Sequence, residues 1–79
     1  MDKNTELTKL ARRIKELRLK LGISQEKLAE LCGFDRTYIS MLERATRNPS
    51  YFNLLKLCKG LNVSMSELCN FEKKDNNVQ

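Results

Sequence analysis

Apolar residues recur at Leu7, Leu10, Ala11, Ile14, Leu17 and Leu21, spaced three and four apart, which predicts a helix with one buried face. Between them lie Lys9, Arg12, Arg13, Lys15, Arg18 and Lys20, so the outer face is basic. Gly22 is placed to end this helix. A basic amphipathic helix can lie on a membrane, but this one has no Trp or Phe on its apolar face, and membrane binding is not expected. Ser24 then offers an N-cap, and Gln25 to Leu31 continue as a short second helix, broken at Cys32-Gly33-Phe34. Asp35 caps a third helix that runs to Arg44. Asn48-Pro49-Ser50 restarts the chain, and a fourth helix is expected to bury Leu54, Leu55, Leu57, Cys58 and Leu61. Ser64-Met65-Ser66-Glu67 reads as a capping box, a hydroxyl at the N-cap and a carboxylate at N3, opening a short fifth helix through Leu68. Residues Glu72 to Gln79 are polar and predict a frayed tail. The pattern contains no repeat, linker or strand. It predicts an all-α fold of five helices in one domain over residues 1–71, with a polar tail at 72–79.

Length and charge then narrow the possible roles. A chain of 79 residues buries only roughly 60% of the surface it exposes when unfolded, so its own core is small and association with a second copy is a common remedy. The net charge is +5. Residues 1–48 hold eleven Lys/Arg against seven Asp/Glu, whereas residues 49–79 hold four against three. Basicity at the front suits a surface facing nucleic acid, although a solvated helix face gives the same count. His is absent and the carboxylates are scattered, so acid–base pairs and nucleophile triads have little material, and no enzyme is expected. The three cysteines, Cys32, Cys58 and Cys69, form no CxxC pair. Metal and cofactor are both expected to be absent. An odd cysteine count without a signal peptide predicts reduced thiols in a cytoplasmic protein, two of them packed as small hydrophobes.

The second and third helices carry the functional information. A short capped helix, a turn containing glycine and a second short capped helix make a helix-turn-helix. Gly33 sits where the chain must leave a helix with positive φ, which strains other residues. Leu28, Leu31, Ile39 and Leu42 are expected to face inward and fix the crossing of the two helices. Arg36, Thr37, Ser40 and Arg44 remain outward on one face. That face would enter a DNA major groove with its N-terminus leading.

The strings Ile23-Ser-Gln-Glu-Lys-Leu-Ala-Glu-Leu-Cys-Gly-Phe34, Asp35-Arg-Thr-Tyr-Ile-Ser-Met-Leu-Glu-Arg44 and Arg47-Asn-Pro-Ser50 resemble the phage-repressor (Cro, or xenobiotic-response-element) type of helix-turn-helix family. The resemblance covers about residues 10–70 and includes Leu61-Asn-Val-Ser64. Within that family the chain is most similar to the controller proteins of restriction–modification systems, dimers that bind palindromic operators. The resemblance implies a lambda-repressor-like fold and a role for each matching residue. Ser24 and Gln25 would lie at a DNA phosphate. Arg36 and Thr37 would read bases, in keeping with Arg donating twice to guanine and a Thr methyl packing on thymine. Tyr38 would touch phosphate or sugar through its hydroxyl. Arg44, Arg47 and Asn48 would contact the backbone, with Arg47 near a minor groove. Arg18 and Glu43 match a pair that ties the first helix to the third.

Plainer readings stand beside these. Arg36 is otherwise a solvated charge, Tyr38 core packing, Ser40 a small spacer rather than a base contact, and Arg47 a loop charge. The family often has Gly or Asn where this chain has Ala45. Alanine is strained at positive φ, so the third helix is expected to run longer or the loop to take another path. The fifth helix, with Met65, Leu68 and Phe71, is the expected dimer seam, although Leu68 fits a monomer core equally well. The implied partners are double-stranded DNA, a second copy of the chain and, for a regulator at a promoter, RNA polymerase. Activation and repression are not distinguished, because either follows from where the operator lies. The alternative from another class is an antitoxin or protein-interaction module of the same fold.

Overall fold

The computed structural model describes residues 3–71; the tail expected at 72–79 lies outside the described residues. The long helix α1 (Lys3–Leu21) turns Ala11, Ile14 and Leu17 inward. Leu21 is not buried as its spacing suggests, and stands 48% exposed. Arg18 is the buried residue of the last turn, Gly22 takes the left-handed conformation at φ 71°, and Ile23 packs against the core instead of Leu21.

The next two helices form the expected pair. α2 (Gln25–Cys32) begins where Ser24 Oγ accepts the Lys27 N–H, and it ends at Gly33 (φ 81°), whose N–H donates to Ala29 and Glu30. Its inward residues are Leu28, Ala29 and Cys32. Leu31 is a correction: it is 45% exposed, because the inward stripe of this two-turn helix passes through Cys32, about a third of a turn away. α3 (Arg36–Glu43) is capped by Asp35, whose side chain accepts from the Tyr38 N–H, and it buries Ile39 and Leu42. Neither expectation for its exit holds. The helix does not lengthen, and Ala45 itself takes the left-handed conformation at φ 62°. A residue with a Cβ loses about 1–2 kcal/mol there. The turn offsets part of that through bonds from the Ala45 N–H to the Leu42 carbonyl (3.1 Å) and from the Thr46 N–H to the Met41 carbonyl (3.0 Å).

Two further helices close the core. α4 (Tyr51–Leu61) starts at the Ser50 cap, stops at left-handed Asn62, and buries Leu57, Cys58 and Leu61. Leu54 is half-buried and packs on the core, whereas Leu55, also expected inside, is exposed. Gly60 lets α4 approach α2 closely. A Cβ at Gly60 would collide with Cys32 Sγ and lie 3.2 Å from the Cys32 backbone nitrogen. α5 (Met65–Leu68) opens on the expected capping box, formed in both directions between Ser64 and Glu67. Arg13 reaches from α1 to this helix, with Nε and Nη2 donating to the Glu67 carbonyl at 3.0 and 2.7 Å.

The core therefore draws on all five helices. Ile14, Leu28, Ile39, Leu57, Leu61 and Leu68 are fully enclosed. Leu68 is thus in the monomer core, the second of the two places open to it, because α5 turns it inward against α1 and α4. Met65 also packs on this core, and Phe71 is half-buried. Cys32 and Cys58 are buried thiols and Cys69 is exposed. Burial pushes the Cys32 thiol up to about 11, as befits a side chain used as a small hydrophobe. Among the described residues no group of side chains is arranged to hold a metal ion, and no helix is long and apolar enough to cross a membrane.

Candidate nucleic-acid interface

The candidate surface is organised around α3. Asp35 caps it, so Arg36 and Thr37 fall in its first turn, where both side chains are exposed. Ser40 follows one turn later, half-buried, and exposed Arg44 stands at the exit with its Nε donating to the Ser40 carbonyl at 3.3 Å. These four residues share one face, as the spacing requires. Three arginines, Arg36, Arg44 and Arg47, lie along or just beyond it and are exposed.

What holds α3 at its angle is a buried charged cluster. Arg18 Nε donates to Glu43 Oε2 at 2.7 Å and Nη2 to Oε1 at 3.0 Å, a bidentate pair. The side chains are 10% and 3% exposed. Arg18 Nη1 also donates to the Ile23 carbonyl at 2.9 Å, and Gln25 Nε2 donates to Glu43 Oε1 at 3.0 Å. The cluster thus joins α1, the following turn, α2 and α3 through one carboxylate. The hydrogen bonds that Arg18 donates to Glu43 raise its guanidinium above the ordinary value, against the effect of burial, so Arg18 stays charged.

Gln25 accordingly has a second role that local sequence does not reveal. Its amide nitrogen braces Glu43 while retaining another N–H and a carbonyl for other partners. Ser24, beside it, uses its oxygen as the α2 cap, which leaves its hydroxyl hydrogen available.

At the other end of the surface, Tyr38 gathers three neighbours. Its ring lies 4.7 Å from Phe34 between centroids, tilted by 58°. The Arg47 guanidinium carbon sits 5.4 Å from the same ring, and Arg47 Nη1 is 3.7 Å from Met41 Sδ. The Tyr38 hydroxyl accepts a hydrogen bond from Asn53 Nδ2 at 2.9 Å. Lys56 lies over the far partner, 5.2 Å from the Phe34 ring centre. Tyr38 is therefore both packing and polar surface, and Arg47 is held against it instead of hanging free in the loop. Asn48 is exposed beside them. Asn53 and Lys56 were not expected here. The only sequence signal for Asn53 is an amide standing in the otherwise apolar or aromatic run Tyr51–Leu55.

A different surface is apolar. Tyr51 and Phe52 are 64% and 76% exposed, with rings 6.3 Å apart, and Leu55 follows on the same outer side of α4.

Comparison with known proteins places this geometry. The model of a family described as helix-turn-helix matches residues 14–68. Control protein C.BamHI of Bacillus amyloliquefaciens is 47% identical over 60 residues, spanning 75% of this chain and 74% of that protein. The crystal structure of the restriction–modification controller protein C.AhdI from Aeromonas hydrophila superposes with a TM-score of 0.82 at 44% identity, covering 86% of this chain and 99% of that one. The controller protein C.Esp1396I, solved as a tetramer in complex with its natural 35-base-pair operator, gives a TM-score of 0.81 at 40% identity over 89% of this chain and 92% of that one. The chain belongs to the helix-turn-helix family of DNA-binding transcription regulators, and within it is similar over most of its length to restriction–modification control proteins.

Proposed function

We propose that this protein is a sequence-specific transcription regulator of the restriction–modification control type, binding a palindromic operator as a homodimer in the cytoplasm. The observation that carries this reading is the exposed face of α3, with Arg36, Thr37, Ser40 and Arg44 held by the buried Arg18–Glu43 pair. A base-reading helix must keep its angle while its own side chains stay free for the groove, and this arrangement supplies both. Arg36 and Thr37, in the first turn, read base edges, and Ser40 lies close enough to join them. Ser24, Gln25, Tyr38, Arg44, Arg47 and Asn48 surround them as contacts to the sugar–phosphate backbone.

The dimer seam needs a new location, because Leu68 is spent on the core. Exposed Tyr51, Phe52 and Leu55 of α4, with Met65 and Phe71 at its margin, form the seam for a second copy. The small core of the chain and the tetrameric assembly of C.Esp1396I on its operator support self-association. In the dimer the two α3 helices enter successive major grooves about 34 Å apart. Where the operator adjoins a promoter, RNA polymerase is the further partner.

The test is selection from a random duplex pool with the purified protein, followed by sequencing of what is retained. A two-fold symmetric site, bound by two chains per site in sedimentation, is expected. Retention of unrelated sequences, or one chain per site, would contradict the proposal.

A further inference from the structure

The Tyr38 hydroxyl has one hydrogen to give and two lone pairs to receive with. Asn53 Nδ2 already donates to that oxygen, at 2.9 Å. With the amide hydrogen filling one acceptor site, the hydroxyl hydrogen is turned away from Asn53. A phenol that receives from an amide is also a stronger donor, because hydrogen bonds in a chain polarise one another. A phosphate oxygen only accepts, so it is the kind of partner that this hydroxyl suits.

The reach of Asn53 is fixed by the start of its helix. Its own backbone N–H is held by Ser50 Oγ at 3.1 Å, which places its side chain against Tyr38 in the third position of α4. The ring is steadied independently by Phe34 on one side and Arg47 on another. We propose that Asn53 is a positioning residue that sets the Tyr38 hydroxyl as a hydrogen-bond donor to a DNA phosphate. This rests on the reading of α3 and its surroundings as the DNA interface. It assigns to α4 a part in DNA binding that does not require Asn53 to touch the DNA.

The experiment is a pair of double-mutant cycles on the full chain, titrated against the selected operator duplex and a scrambled duplex of equal length. Asn53→Ala and Asn53→Asp are each made alone and with Tyr38→Phe. Asn53→Asp keeps a partner for the ring hydroxyl but reverses the polarity, since a carboxylate takes the hydroxyl hydrogen instead of supplying one. An acidic residue is also favourable in the first turn of a helix, so this variant keeps α4 folded.

Loss of one donor to a phosphate corresponds to about a tenfold weakening. Tyr38→Phe and Asn53→Ala are each expected to show it on both duplexes, because a phosphate carries no sequence information. Asn53→Ala is expected to add nothing once Tyr38→Phe is present. Asn53→Asp is expected to lose at least as much as Asn53→Ala in the wild-type background. With Tyr38→Phe present, it should keep only the part due to its charge.

Two results would overturn the proposal. If Asn53→Ala still weakens binding in the Tyr38→Phe background, Asn53 contacts DNA directly. If Asn53→Asp shows no loss that depends on the Tyr38 hydroxyl, Asn53 only holds the ring. Arg36→Ala in the same series separates these failures from failure of the underlying reading. An operator-specific loss at Arg36 with either result leaves the interface intact and removes only the role of Asn53.

Discussion

α3 is secured differently at its two ends. Glu43, in its last turn, is locked into a buried bidentate pair with Arg18 and is braced by Gln25. Tyr38, in its first turn, leans on Phe34, Arg47 and Asn53 through ring contacts and a single hydrogen bond at half-exposed positions. Removing one partner of a buried pair strands the other charge, so the first set of contacts is decisive for folding. Exposed ring–cation contacts are worth about 0.5–1 kcal/mol each, and they rearrange without unfolding anything. The helix is thus rigidly oriented from behind, and the side chains that would read bases, Arg36 and Thr37, sit at its adaptable end.

The largest expected effect breaks the rigid end. Glu43→Ala leaves Arg18 charged and buried, and should cost ~3–5 kcal/mol of stability, much of what a small domain has. Thermal melting should fall far more than for Glu26→Ala, on the exposed face of α2. Equal melting temperatures would show that the pair does not orient α3.

Next in size is a contrast between two apolar positions. Leu68→Ala removes a fully enclosed side chain and should cost about 2–5 kcal/mol. Phe52→Asp, on the exposed face of α4, should leave the isolated fold close to its original stability but shift sedimentation from dimer to monomer. If Leu68→Ala changed only association, or Phe52→Asp only stability, the assignment of core and seam would be reversed.

A smaller effect appears in alkaline solution. The folded Cys32 thiol holds its proton up to about 11, against an ordinary 9.0. Below about 9 the folded and unfolded chains both keep it, and nothing is lost. Between about 9 and 11 the unfolded chain releases the proton first, so stability should decline with rising pH, by at most about 2 kcal/mol. Denaturant melts of Cys32→Ala should show a shallower decline over that window than wild type. Parallel slopes would mean that Cys32 is solvated.

The smallest stability effect belongs to the adaptable end. Tyr38→Phe removes one hydrogen bond to Asn53 and should cost about 1 kcal/mol or less. A loss approaching that of Glu43→Ala would abolish the distinction between the two ends.

Features set by neighbouring residues were legible in the sequence. Ser24, Asp35 and Ser64 act as caps because a short polar side chain before an apolar run satisfies amides two or three residues on, and Gly33 ends α2 for the reason its backbone freedom suggests. The Arg18–Glu43 pair was reached through the family resemblance, since a separation of 25 positions gives no local spacing to read. Leu31 and Leu55 were misassigned because helices of two or three turns leave the direction of the buried stripe ambiguous. Leu68 had two possible homes on a helix of one turn. Ala45 defied its propensity, because the surrounding turn imposes its conformation. Asn53, Lys56 and Gly60 act across the fold, on Tyr38, Phe34 and Cys32 respectively, and no pattern along the chain marks such contacts.

The central claim is that the first turn of α3 reads bases while the residues around it grip the backbone. Arg36→Ala and Arg47→Ala, titrated on the selected operator and on a scrambled duplex at several salt concentrations, test it most directly. Arg36→Ala should lose about 1–3 kcal/mol on the operator, with little change on scrambled DNA, and should relax preference at one position in each half-site. Arg47→Ala should weaken both duplexes by similar factors and reduce the salt slope by about one for each phosphate that a subunit no longer neutralises. Equal weakening of both duplexes by Arg36→Ala would contradict the account. Arg36 would then be another backbone anchor, and base selection would pass to Thr37, Ser40 or the shape of the DNA.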